Sequence, residues 1–132
     1  MSAPEPVAAS LQRIFVYGTL KRGLSNAHYL NGQTFVGTAR TLPKYRMVNA
    51  GGYPGLYEVP EEEGGLRVHG EVWEVDASCR KELDLLEDVA VGLYELVPVD
   101  LEEPFVGGQV FTYLYRWSIM GRDDAGDDWR EN

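Results

Sequence analysis

The sequence predicts an α+β fold, a small mixed and partly closed β-barrel with short flanking helices, on three observations. Short runs rich in β-branched and aromatic residues recur along the chain, separated by glycine, proline and acidic clusters that mark turns. One segment, between Asp76 and Asp88, exchanges an apolar period of two for a period near 3.6. The chain is 132 residues long and 44% apolar, which suits one domain that buries an ordinary core without disulfides or metal. Residues 1–12 read as a flexible N-terminal leader, 13–118 as the folded domain and 119–132 as an acidic C-terminal tail.

The first strand is expected over residues 13–17, ended by Gly18, a position that takes φ > 0 or lets another group approach closely. Beyond it, Ser25 or Asn26 is placed to cap a brief helix through Ala27, His28, Tyr29 and Leu30. Residues 33–39 and 45–48 read as strands, and Tyr53, Pro54 and Gly55 open an ordered loop or edge strand, read as a simple edge turn with a mobile lid over the site as the alternative. The acidic run Glu61, Glu62, Glu63 reads as a solvated hairpin loop, and residues 66–75 carry the longest strand signal.

In the helix that follows, Asp76 or Ser78 is the N-cap, and Cys79, Leu83 and Leu86 share one face. Glu87, four residues after Leu83, falls beside that apolar face, where a carboxylate is costly unless paired, hydrogen-bonded or protonated. Lys81, Glu82 and Asp84 are expected to face solvent. Strands resume at residues 93–99 and 109–117. In the latter, Phe111, Tyr113, Tyr115 and Trp117 alternate with Val110, Thr112 and Leu114, so both faces are covered or one lines an aromatic pocket.

Composition narrows the function. A formal net charge of −9 with no basic stripe argues against nucleic acid or an anionic membrane as partner. No apolar run reaches the roughly 20 residues that a spanning helix needs. A single cysteine, Cys79, excludes an intrachain disulfide, so a cytoplasmic location is expected. Phosphate-binding glycine loops, zinc-ligand spacings and serine-hydrolase elbows are missing, and His28 and His69 are isolated, so no metal site is expected.

Three features remain: an inward-leaning glutamate, several tyrosines, and a glycine turn whose amides at Gly18, Thr19 and Leu20 form a concave set of donors for a carboxylate or an oxyanion. The segments Phe15-Val16-Tyr17-Gly18-Thr19-Leu20-Lys21-Arg22-Gly23 with Asn26, Gly70-Glu71-Val72, and Leu83-Asp84-Leu85-Leu86-Glu87 with Leu93-Tyr94 resemble the γ-glutamylcyclotransferase-like family, most closely its γ-glutamylamine branch. The chain departs from that pattern at Leu96, where an arginine is common, and at Asp88, where a small residue is common.

The resemblance implies a small mixed barrel and a cofactor-free reaction on a small-molecule γ-glutamyl substrate. The α-amine attacks the γ-carbonyl, giving 5-oxoproline and releasing an amine or amino acid. It assigns Glu87 as catalytic acid and base, Tyr17, Gly18, Thr19 and Leu20 as the glutamyl-binding turn, and Tyr113 as a residue that closes the pocket. Glu71 is a further candidate pocket acid, or else a strand glutamate paired with a basic residue. A non-catalytic binding module on the same fold is the alternative function.

Overall fold

The structure, a computed structural model, describes residues 11–107 and 109–131. Residues 1–10 of the expected leader lie outside the described residues, and Gln12 already belongs to the first strand. Among the described residues there are eight strands: β1 (Gln12–Val16), β2 (Thr34–Arg40), β3 (Tyr45–Asn49), β4 (Pro54–Glu58), β5 (His69–Val75), β6 (Tyr94–Pro98), β7 (Val110–Tyr115) and β8 (Asp124–Gly126). The α-helix, α1 (Ala77–Leu86), and three short 3-10 turns (Ala27–Leu30, Glu61–Glu63, Val89–Val91) complete the described elements.

The strands form one curled sheet in the order β2-β5-β1-β7-β4-β3-β8, with β6 added along β7. Pairing is mixed: β1–β5, β2–β5, β3–β4 and β6–β7 run antiparallel, whereas β1–β7 and β4–β7 run parallel. Isolated bridges Thr41↔Leu101 and Tyr45↔Leu66 draw the two ends of the sheet toward each other, giving the expected partly closed barrel. Its inside is filled by Phe15, Tyr17, Met47, Leu56, Val72, Val110 and Leu114. The alternate residues Ile14, Val16, Val75, Tyr113 and Tyr115 face outward and pack with Cys79 and Leu83 of α1. The two parities of β7 are therefore both buried.

A seam in this sheet positions the site. On one edge β7 pairs with β6 alone, but on the other it pairs first with β1, at Val110 and Phe111, and then with β4, at Leu114. Where β1 leaves and β4 arrives, the hydroxyl of Tyr17 fills the missing rung. It donates to the carbonyl of Tyr113 at 2.6 Å and accepts from the amide of Leu56 at 3.2 Å.

Several local expectations are revised. The Glu61–Glu63 turn does not close a hairpin, because β4 and β5 are not neighbours in the sheet. Residues 53–57 do not make an edge strand, since β4 lies between β3 and β7. Neither Ser25 nor Asn26 caps the Ala27–Leu30 turn by its side chain, as each bonds elsewhere. Residues 119–131 are not a solvated tail throughout: β8 pairs with β3, and Ala125 and Trp129 pack against the interior cluster. Asp124 and Asp128 meet Arg46 and Lys21, so the acidic side chains do not oppose that packing.

Candidate active site

Where β1 ends, a cavity of about 280 Å³ opens between the turn after the strand and the C-terminal end of α1. Its walls include Tyr17, Gly18, Thr19, Leu20, Asn26, Tyr53, Pro54, Leu86, Glu87, Asp88, Tyr94 and Tyr113. All six site residues expected from the sequence thus come together around one space. Glu87 and Asp88 are its charged lining residues, and among the described residues no Lys, Arg or His lines it.

The turn is tight because of what stands behind it. A Cβ on Gly18 would lie 2.5 Å from Cγ of Pro54, so glycine is required for close approach, and φ at this position is not positive. The turn closes through Lys21 N–H to the carbonyl of Gly18 at 3.1 Å. Asn26 secures it twice, donating from its backbone amide to the Thr19 carbonyl at 2.8 Å and from Nδ2 to Thr19 Oγ1 at 2.9 Å. Among the described residues, the amides of Gly18, Thr19 and Leu20 donate to no protein acceptor. Three N–H groups beside a cavity, unclaimed by a ladder, are donors of the kind that can hold an anion.

Glu87 reaches the opposite wall because it is the C-cap of α1. The helix starts at Asp76, whose Oδ1 accepts from Cys79 N–H at 2.8 Å, and Leu83 is fully buried under the sheet, so the helix end is fixed against the barrel. At the next residue, Asp88, the chain turns through φ 53°, the one non-glycine positive φ among the described residues. This left-handed step ends the helix and leaves the Glu87 side chain at the cavity. No described side chain hydrogen-bonds its carboxylate. Burial pushes the Glu87 carboxyl up to about 7, and the charge of Asp88 adds to the rise.

Three of the four lining tyrosines, Tyr17, Tyr94 and Tyr113, have their hydroxyls already engaged. Tyr17 is held as described above, Tyr94 donates to the carbonyl of Pro54 at 2.5 Å, and Tyr113 donates to Asp84 Oδ1 at 2.7 Å. Burial, first among the causes, keeps all three phenols protonated well above the ordinary phenol range. Asp84 is therefore not a solvated helix residue as its position suggested. It accepts from Tyr113 and from Arg80 Nε at 3.1 Å, fixing the Tyr113 ring as part of the wall.

Glu71 lies outside this space, in a second, polar cleft with Lys21, Arg40, His69 and Asp128. Its carboxylate accepts from the Arg22 amide, Arg22 Nε and Trp73 Nε1, so of the two readings the paired strand glutamate holds. Leu96 stands opposite Tyr113 in the β6–β7 ladder and packs on the outer cluster. His28 and His69 are exposed, and the described residues contain no cluster of three or more His, Cys, Asp or Glu suited to a metal.

The roles of Tyr94 and Asp84 were missed, and Pro54, expected only in an edge turn or a lid, stands as the wall behind the turn. The rigid Pro54 packs against Gly18 across 36 positions of sequence, which no local pattern announces. Tyr94 carried a signal only as part of the motif with Leu93.

A curled half-barrel with free backbone amides at the end of β1, across a cavity from a buried carboxyl group raised to about 7, has the features of a small-molecule site. The family model described as gamma-glutamyl cyclotransferase, AIG2-like, matches residues 14–131. The chain belongs to this family.

A relative from Vibrio cholerae is 39% identical over 114 residues, covering 86% of this chain and 92% of the relative. Gamma-glutamylaminecyclotransferase A of Danio rerio is 38% identical over 96 residues, covering 67% of this chain and 58% of that protein. Among solved structures, an AIG2-like protein from Mus musculus superposes with a TM-score of 0.68 at 27% identity, covering 92% of this chain and 97% of the other.

Proposed function

We propose that this chain is an enzyme that cyclises the γ-glutamyl group of a small substrate to 5-oxoproline and releases an amine, with Glu87 as general base and then general acid. The observation that carries the reading is the Glu87 carboxyl, unpaired at the cavity wall with its pKa at about 7. In the reaction the α-nitrogen bonds to the γ-carbonyl carbon, a tetrahedral intermediate forms, and the bond from that carbon to the leaving nitrogen breaks. No water is consumed.

An α-ammonium with a pKa of about 8 must lose a proton before it attacks, and the leaving nitrogen must gain one before it departs. A carboxyl group balanced between its two forms near pH 7 serves both steps. Tyr17, Tyr94 and Tyr113 are poor candidates for this role, because each hydroxyl is committed to a protein acceptor and burial opposes its ionisation.

Gly18, Thr19 and Leu20 offer their amides to an anionic oxygen of the substrate, either the α-carboxylate throughout or the oxyanion as it develops. The two assignments differ kinetically: a weakened turn raises KM in the first case and lowers kcat in the second. Tyr113 and Tyr94 bound the folded glutamyl chain, and holding its ends together supplies proximity. The acidic lining, with Asp88 beside Glu87, favours a leaving amine that is neutral or cationic over one that carries a carboxylate.

The test is 5-oxoproline release from a γ-glutamylamine, a γ-glutamyl amino acid and glutathione, with Glu87→Gln assayed in parallel. The expected order is fastest turnover on the amine and loss of turnover in the variant. Saturable ligand binding without turnover on any substrate would favour the non-catalytic binding module instead.

A further inference from the structure

The substrate-facing turn has an unusual mechanical requirement. Its amides at positions 18–20 must be left free for a ligand, so the segment has to be held by other atoms. Inside the turn these are the bonds from Lys21 N–H to the Gly18 carbonyl and from Leu24 N–H to the Lys21 carbonyl, and the two bonds of Asn26. From outside, one flank is held by Glu71 of β5, which accepts from the backbone and side chain of Arg22.

The other flank is held by residues more than 100 positions away. Lys21 Nζ donates to Asp128 Oδ1 and to the carbonyl of Trp129, both at 2.8 Å, and its side chain is only 12% exposed. Asp128 also receives Arg130 on its other oxygen. Four positions after Lys21, the carboxylate of Glu131 accepts from the amide of Ser25 at 2.9 Å and from its hydroxyl at 2.8 Å. The exposed contacts of Glu131 and Arg130 contribute little alone, whereas the Lys21 ammonium is largely covered. The segment between Asp128 and Glu131 is anchored by Trp129, which packs on the interior cluster containing Phe15 and Tyr17.

We infer that residues 128–131 form a strap that sets the position of the substrate-binding turn, with Lys21 and Glu131 as positioning residues that never touch the substrate. The inference rests on the proposed reaction only for its catalytic readout. Glu87 is carried by α1 and not by the turn, so loosening the strap disturbs the anion receptor while leaving the acid–base group as it was.

The test uses the full chain with Lys21→Met, which keeps the apolar stem and removes both donors, together with Lys21→Arg and Glu131→Gln. Lys21→Met is expected to lower kcat/KM for a γ-glutamylamine about tenfold, and Glu131→Gln about threefold. Lys21→Arg should recover most of the loss, and the acid limb of the pH profile should stay where it is in the unaltered chain. Unchanged kcat/KM in Lys21→Met, or a loss matched by an equal loss of folded protein, overturns the strap.

Hydrogen exchange supplies an arm that does not depend on turnover. Lys21→Met should speed exchange of the Leu24 and Asn26 amides about tenfold and leave those of β7 unaltered. If the unaltered chain releases no 5-oxoproline, the proposed reaction fails on its own, and unchanged protection at Leu24 and Asn26 then overturns the strap independently.

Discussion

With its carboxyl titrating at about 7 in place of 4.5, Glu87 sets folding against chemistry. Between those two values the unfolded chain ionises first, so the folded state loses stability as pH rises through this window, and the loss is complete above pH 7. By linkage the full cost is about 3 kcal/mol. Glu87→Gln is therefore expected to be more stable than the unaltered chain by up to about 3 kcal/mol at pH 8 and equal to it at pH 4, as read from urea unfolding at the two values. The same variant should lose about 10²- to 10⁴-fold in turnover. Equal stability at both values would mean that the carboxyl is not buried as described.

Asp88→Asn separates the two causes of the shift, since asparagine tolerates the left-handed conformation and removes the charge. The acid limb of kcat/KM should move to lower pH, by less than burial contributes. Glu87 itself was legible in the sequence, because its spacing from Leu83 put a carboxylate beside an apolar face. Asp84 was not, since its role depends on the Tyr113 hydroxyl arriving from β7, and helix periodicity carries no information about that partner.

At the scale of elements, α1 delivers Glu87 only while its two ends are fixed. Leu83, fully buried, anchors its C-terminal turn, and Leu83→Ala should cost about 2–5 kcal/mol in chemical denaturation. Asp76→Ala removes the cap on Cys79 N–H and should cost about 1 kcal/mol. Strands β1 to β3, β5 to β7 and this helix were legible because alternation and period 3.6 report burial directly, whereas β4, with Pro54 and Gly55 at its start, read as a loop or an edge and is interior. Strand β8 was not legible. Its three residues, Asp124, Ala125 and Gly126, show no alternation, and β3 supplies the pairing edge and Arg46 the countercharge. The same holds for the rest of the acidic end, whose partners Lys21 and Ser25 are remote in sequence.

For the molecule as a whole, the seam beside β7 decides both closure and access. Tyr17→Phe removes the hydroxyl that serves Tyr113 and Leu56 together and leaves two buried backbone groups without a partner. A stability loss of roughly 2–4 kcal/mol is expected by thermal or urea unfolding. A loss below 1 kcal/mol would show that water replaces the hydroxyl there. The barrel class could be read from strand number and length, but the seam could not, because the sequence does not state which strands pair in parallel.

The central strand is also among the last to be made. β7 joins β1, β4 and β6, yet its residues follow those of β1 by nearly the whole length of the domain. During synthesis the edges of β1 and β4 therefore wait unpaired until residues 110–115 leave the ribosome, which is the situation that invites wrong pairing. A chain stopped before Val110 should collect in aggregates, and the complete chain should refold slowly for its size, since its decisive contacts close the longest loops.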